Sequence, residues 1–153
     1  MNAEATLREI QEAARSLGLQ IQVIKASTSR DIDVAFATLI RDRADALFVV
    51  PDAFFVSRRV QLATLAARHA IPATYPSREV VEVGGLMSYG TSIVDTYRQA
   101  GVYTGQILRG AKPADLPVLQ PSKFEFVINL QTARALGIEV PNSIQLLADE
   151  VID

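Results

Sequence analysis

The sequence has no cysteine and a single histidine among 153 residues. The first absence excludes disulfides and thiolate metal sites, and the two together leave a zinc site without its common ligands. Neither fixes a compartment, because cytosolic and periplasmic proteins alike can lack cysteine. No apolar run approaches the roughly 20 residues of a membrane-spanning helix. No basic cluster is present either: 15 Lys and Arg and 17 Asp and Glu are mixed along the chain, for a net charge of −2. A nucleic-acid partner needs clustered Lys and Arg and is not expected. There is no Gly-x-Ser-x-Gly elbow and no glycine-rich phosphate loop. His69 follows Arg68 late in a helical stretch, where it meets the helix dipole rather than a substrate. The carboxylates are scattered over helix faces and read as solvated surface. The expectation is therefore a protein with no catalytic residues, no metal site and no cofactor, and so not an enzyme. The opening Met1-Asn2-Ala3-Glu4 has neither a basic n-region nor an apolar h-region, so no signal peptide is expected, and the chain would be cytoplasmic if it is the complete product.

What is there is apolar and periodic. Hydrophobic residues make up 49% of the chain, enough for a substantial core, and the length fits one domain over residues 1–153. Leu7, Ile10, Ala14 and Leu17 recur at helical spacing, with Gly18 as a stop. Leu19, Ile21 and Val23 then alternate with Gln20 and Gln22, which predicts a half-exposed strand. Thr28 to Asp31 fits a capping box ahead of a helix that turns Ile32, Phe36, Leu39 and Ile40 to one side. Ala46 to Val50 is a continuous apolar run ended by Pro51, the pattern of a strand covered on both faces. Val56, Val60, Ala63 and Ala67 predict a third helix, and Ile71 to Tyr75 a short strand. This alternation predicts an α/β fold, a doubly wound and mostly parallel sheet flanked by helices.

The second half is less regular. Leu86 to Tyr89 predicts a short strand entered through Gly84-Gly85. Ser92 to Asp95 is a second capping box, opening a helix of about five turns with Val94, Tyr97, Gly101 and Leu108 on one side. Gly101 and Gly105 bare a strip of it to which a neighbour could pack closely, and Gly110 and Pro113 stop it. Pro113 to Pro121 reads as an extended connector, Phe124 to Ile128 as a strand, and 130–136 as a short helix capped by Gly137. A doubly wound domain ordinarily begins with a central strand. This sequence begins with a helix, so the sheet is expected to be incomplete.

Val83-Gly84-Gly85-Leu86-Met87-Ser88-Tyr89-Gly90, Tyr97, Gly110-Ala111-Lys112-Pro113-Ala114-Asp115-Leu116-Pro117-Val118 and Pro121 carry a resemblance. Lys123 to Leu130, Thr132-Ala133, Ala135-Leu136-Gly137 and Val140-Pro141 extend it. The chain resembles the ABC transporter substrate-binding proteins that include tryptophan- and tyrosine-type binders, over nearly its whole length. Leu17-Gly18-Leu19, Asp31-Ile32 and Ala44 to Leu47 are also similar. The resemblance implies the type I periplasmic-binding-protein fold, in which two α/β lobes joined by three crossovers clamp a solute. It implies an ABC permease as partner and a periplasmic location. The family is about twice as long, and only its later part is matched here. The resemblance thus implies one lobe, incomplete relative to the two-lobe fold, with the helix of residues 92–112 belonging to the missing first lobe or to an oligomer contact. A homodimer or higher oligomer is expected from such bared apolar faces.

Ligands of open α/β sheets sit beyond the carboxyl ends of the strands. Three segments qualify: Pro51 to Phe55, Tyr75 to Glu79, and Tyr89 to Ser92. For a free amino acid, Asp52 could take the ammonium and Arg78 the carboxylate through a bidentate fork. Tyr75, Phe54 and Tyr89 could form a flat apolar wall. Ser77, and Ser92 with the N–H groups of its helix, could hold polar or anionic groups. Each has a plainer reading. Asp52 serves equally as an N-cap, Arg78 as a surface ion-pair partner, Phe54 as a packing residue, and Tyr89 as a strand-end tyrosine that only packs. Two functions remain open: a solute-binding component of an ABC importer that takes a small polar molecule such as an amino acid, and a truncated, non-transporting sensor or interaction domain that acts through oligomerisation.

Overall fold

A computed structural model describes residues 3–121 and 123–153; Met1 and Asn2, read above for a leader, lie outside them. Helix α1 (Ala3–Ser16) ends where Gly18 takes a φ of 69°. Helix α2 (Ser29–Arg41) begins in the expected capping box: Thr28 Oγ1 accepts the Asp31 N–H at 3.1 Å, and the Asp31 carboxylate accepts the Thr28 N–H at 2.9 Å. The Ser27 N–H and hydroxyl, and after them Thr28, donate to the Asp31 carboxylate and hold its pKa below the ordinary value. Strand β1 (Leu47–Phe48) is followed by the short helix α3 (Ala53–Ser57), then α4 (Arg59–Arg68) and β2 (Ala73–Tyr75). The predicted third helix is thus two helices, broken at Arg58. Helix α5 (Arg78–Val81), β3 (Met87–Thr91) and α6 (Ile93–Leu108) come next. A 3-10 turn at Pro113–Asp115 leads to β4 (Phe124–Asn129), α7 (Leu130–Ala135), α8 (Asn142–Gln145) and β5 (Glu150–Ile152).

The five strands form one sheet in the order β1-β2-β3-β4-β5. All neighbours are parallel except β3 and β4, which run antiparallel. The chain is therefore α/β with a mostly parallel sheet, as the alternation of elements predicts. The main core lies between α2, α4 and the first strands, where Ile32, Phe36, Leu39, Leu62, Ala66 and Tyr75 pack together. Val127 and Ile128 of β4 and Ala133 of α7 are buried further along the sheet. Asn129 caps α7 by accepting the Thr132 N–H, and Thr132 Oγ1 donates to the Gly84 carbonyl, which ties α7 to the turn before β3.

The strand predicted at 19–23 does not form. Leu19, Ile21 and Val23 are exposed, and the segment pairs with no described strand. An alternating run becomes a strand only where a partner edge can take its N–H and C=O groups. Ile24 and Ala26 rest on the core, and Gln22 Nε2 donates to Asp42 at 2.8 Å. Arg41 and Gln22 hold the Asp42 carboxyl down at about 2. The Ser92 box is half formed: Ser92 Oγ accepts the Asp95 N–H at 3.3 Å, but the Asp95 carboxylate turns to Arg98 and Gln99. Helix α6 buries none of its residues, and a methyl added at Gly101 or Gly105 would meet nothing within 4 Å among the described residues.

Candidate functional site

Strand β2 ends at Tyr75, whose register partner in this parallel pair is Ser88, and β3 runs on past that point to its own carboxyl end at Thr91. From these ends the chain runs into the turn Pro76-Ser77 ahead of α5, and into Thr91-Ser92 ahead of α6. Between them is a small cavity of about 20 Å³. Pro76, Ser77, Arg78 and Glu79 line one side, Ser88, Gly90, Thr91 and Glu125 the other, with Ile93 and Val94 closing it. Gly90 is required for this approach: a Cβ there would stand 1.9 Å from the Pro76 carbonyl oxygen. Gly85 does the same beneath, since a Cβ there would meet Tyr75 Cε2 at 2.9 Å.

The accessible lining of the cavity is mostly apolar, and the polar atoms behind it are unevenly satisfied. Ser77 Oγ, Glu79 Oε2 and Ser88 Oγ are buried without a hydrogen-bond partner among the described residues. Arg78 is the reverse case. Its guanidinium bonds Glu82 at 2.9 Å and Glu150 at 2.6 Å, and lies 3.8 Å from Glu125. Its hydrogen bonds to Glu82 and Glu150 push its pKa still higher, so it is a permanent cation already ringed by carboxylates.

The seven candidate residues do not converge as one group. Ser77 lines the cavity, and Ser92, buried at 3% exposure, caps α6 beside it. Arg78 lines it too, hydrogen-bonded to Glu82 and Glu150 with Glu125 3.8 Å away, so that its charge is partly balanced within the chain. Asp52 is exposed at the end of β1 and caps α3, accepting the Phe54 N–H at 2.7 Å. Phe54 leans on the core, with its ring 5.4 Å from Phe55 and under the Arg58 guanidinium at 5.9 Å. Tyr75 is no wall of an open crevice: it is 2% exposed inside the core, and burial pushes its phenol pKa up. Tyr89 alternates with Ser88 and Gly90 and so points to the opposite face of β3, 62% exposed and stacked on Phe124 at 5.8 Å. Tyr75, Tyr89 and Asp52 thus face three different surroundings.

Periodicity singles out neither Glu79 nor Ser88. The available signal is a serine on the inward face of an apolar strand, where a hydroxyl needs a partner. A second, larger groove of about 400 Å³ lies between α6 and the connector, where Tyr103 Oη donates to the Pro117 carbonyl at 2.6 Å. His69 ends α4, its ring 6.4 Å from that of Phe36. Among the described residues, no group of three His, Cys, Asp or Glu could hold a metal ion, and no helix is long and apolar enough to cross a membrane.

Comparison with known proteins gives this geometry its setting. A tyrosine-binding protein of Clostridioides difficile is 24% identical over 139 residues, covering 91% of this chain and 40% of that protein. The crystal structure of an ABC domain in complex with L-Trp, from Streptococcus pneumonia, superposes with a TM-score of 0.87 at 29% identity, over 99% of this chain and 52% of that one. A conserved domain protein from Vibrio cholerae gives a TM-score of 0.87 at 23% identity, over 98% of this chain and 50% of that one. A ligand-free, open substrate-binding protein with adhesive properties, from Clostridium difficile, gives 0.65 at 22% over 99% and 50%. The chain therefore spans about half the length of these solved relatives and 40% of the curated one. A family model described as ABC transporter substrate binding protein matches residues 1–152. The family is one of substrate-binding proteins and not of enzymes, and this chain belongs to it.

Proposed function

We propose that the chain is the solute-binding component of an ABC importer and holds a small polar solute of the amino-acid class, aromatic side chains included, without covalent chemistry. The observation that carries this reading is the small cavity beyond the end of β2 and beside the end of β3, on the side of the sheet where open α/β sheets bind their ligands. The tyrosine-binding and L-Trp-bound relatives support the ligand class. An ABC permease as partner and a periplasmic working location follow from the same family membership. Ser77 lines the cavity and Ser92 sets the start of α6 beside it, while Asp52 and Phe54, on the loop after β1, stay outside its lining. Arg78 stiffens the cavity wall through its ion pairs, and Tyr75 supports it from beneath. Tyr89, on the far face, offers its ring with Phe124.

A cavity of about 20 Å³ holds only one small group of such a solute, far below the ~300 Å³ or more of a complete ligand pocket. The isolated chain should therefore bind L-tryptophan or L-tyrosine in the millimolar range. Amide shifts followed by NMR test this. Saturable changes at Ser77 to Glu79 and Gly90 to Ser92 support the reading. No change at those amides at millimolar solute would overturn it.

A second reading, an interaction domain acting through oligomerisation, is favoured by α6. That helix buries nothing and exposes Val94, Tyr97 and Leu108. On this reading residues 92–112 pack in a homodimer, and sedimentation at micromolar concentration should show a dimer. A compact monomer there would exclude it.

A further inference from the structure

Strand β5 is held in place by charge more than by burial. It stands at one edge of the sheet and pairs only with β4 among the described residues. Val151 is exposed and Ile152 half-buried, so the strand brings little apolar surface to the sheet. The turn ahead of it adds little more: Leu146 and Leu147 are 86% and 71% exposed. A segment with so few buried apolar contacts belongs to the least stable part of a fold unless other bonds anchor it.

The anchors share one chemistry. The Asp149 carboxylate accepts the Phe126 N–H at 2.8 Å, and the Asp149 N–H donates to the Phe126 carbonyl at 2.8 Å. Glu150 accepts from Arg78 at 2.6 Å, and Asp153 accepts from Arg134. The carboxylates of 149–153 therefore meet a guanidinium on α5, another on α7 and an amide of β4. Both ion pairs are open to water, with the side chains of Glu150 and Asp153 46% and 69% exposed, so salt reaches them. Arg78 has a second task. Glu125 lies two residues before Val127, the register partner of Glu150, so the two carboxylates share one face of adjacent strands and repel. The Arg78 guanidinium meets both, bonds Glu82 on its own helix, and lines the cavity at the end of β2.

We propose that β5 is a releasable strap, docked as one unit by Arg78 on Glu150 and Arg134 on Asp153, and that its release takes one carboxylate away from Arg78 at the cavity wall. The two ion pairs grip the strap at positions three residues apart, so loosening either loosens the whole. With the strap docked, Arg78 shares its charge among Glu82, Glu125 and Glu150. With the strap released, Glu82 and Glu125 remain and the guanidinium is less neutralised where it lines the cavity. Arg78 is thus a positioning residue that links the sheet edge to the cavity. The proposal goes beyond the solute-binding reading and is tested without a solute.

The test is amide hydrogen exchange of the whole chain at fixed pH. It reads Asp149 against Val49, whose N–H donates to the Thr74 carbonyl between β1 and β2. Raising sodium chloride from about 0.1 M to about 1 M shortens the screening length from about 10 Å to about 3 Å and should speed exchange at Asp149 by about threefold, with Val49 unchanged. Glu150→Gln should speed it by about two- to fivefold at low salt. Arg134→Gln should also speed exchange at Asp149, although its partner Asp153 is four residues further on. An unchanged Asp149 in Arg134→Gln would mean that the strand frays from one end, and would overturn the single unit. Arg78→Gln should speed Asp149 at least as much as Glu150→Gln, and the double variant should be no faster than Arg78→Gln alone, because both cut one contact. Effects that add in full would show that Arg78 does not hold the strand through Glu150. Exchange that ignores salt, or that quickens equally at Val49, would refute the strap.

Discussion

Helices α2 and α6 are alike as sequence and opposite as structure. Both open on a hydroxyl N-cap, and both carry apolar residues at helical spacing. Helix α2 buries Ile32, Phe36 and Leu39 against α4 and the first strands, whereas α6 buries nothing and shares only a groove with its own connector. Capping and periodicity thus report that a helix forms and which stripe is apolar. They do not report what, if anything, covers the stripe. Helix α6 follows directly on the β2–β3 cavity and is left uncovered by the described residues.

Substitutions in the two regions sharpen the contrast. Phe36→Ala removes a ring that is 2% exposed and should cost about 3–5 kcal/mol in chemical denaturation. Tyr97→Ala, at a ring 75% exposed, should fall within about 0.5 kcal/mol. Comparable losses at the two sites would break the comparison. Glycines give the next largest difference. Gly90→Ala forces a methyl onto the Pro76 carbonyl and should destabilise by about 1–3 kcal/mol or more. Gly101→Ala meets nothing and should stabilise by about 0.5–1 kcal/mol, because alanine costs less chain entropy in a helix interior. A loss at Gly101 would mean that another surface packs against α6 in solution.

Helix ends supply a smaller effect. Gly18, Gly110 and Gly137 take the left-handed conformation after α1, α6 and α7, but Ala70 does so after α4 with a φ of 53°. Ala70→Gly should raise stability by about 0.5–1 kcal/mol in thermal melts: relieved strain of ~1–2 kcal/mol, less glycine's added entropy of ~0.5–1 kcal/mol. The smallest effect concerns the segment before α2. The folded Asp42 carboxyl sits at about 2, below its ordinary 3.8, through its bonds to Arg41 and Gln22. A depressed carboxyl adds stability above its unfolded pKa and loses it as the pH falls through the folded value. The Gln22 side-chain amide signals should therefore shift as the pH drops from about 4 towards 2 and its partner carboxylate is protonated. Signals that ignore that window would detach the segment from Asp42.

Elements held together by nearby bonds were legible from the residues. The Thr28 box and the Gly18 and Gly137 stops appear where spacing puts them. The three-residue strand Glu150–Ile152 and the one-turn helix Arg78–Val81 were not, since each owes its existence to partners far away in sequence. At the site, Ser77 was legible as a residue after a strand. Ser88 and Glu79 were not, because their meaning lies in an unfilled hydrogen-bonding capacity that only packing reveals.

By itself the amino-acid order determined the α/β class, the starts of α2 and α6, and the family. These depend on periodicity, on capping side chains within three residues, and on motif spacing, all of which are short-range. Tertiary structure alone decided that residues 19–23 stay unpaired, that Tyr75 enters the core while Tyr89 turns away, and that Arg78 meets Glu82, Glu125 and Glu150. Pairing, burial and charge balance are properties of neighbours brought together by the fold, and a linear pattern does not specify which neighbours those will be.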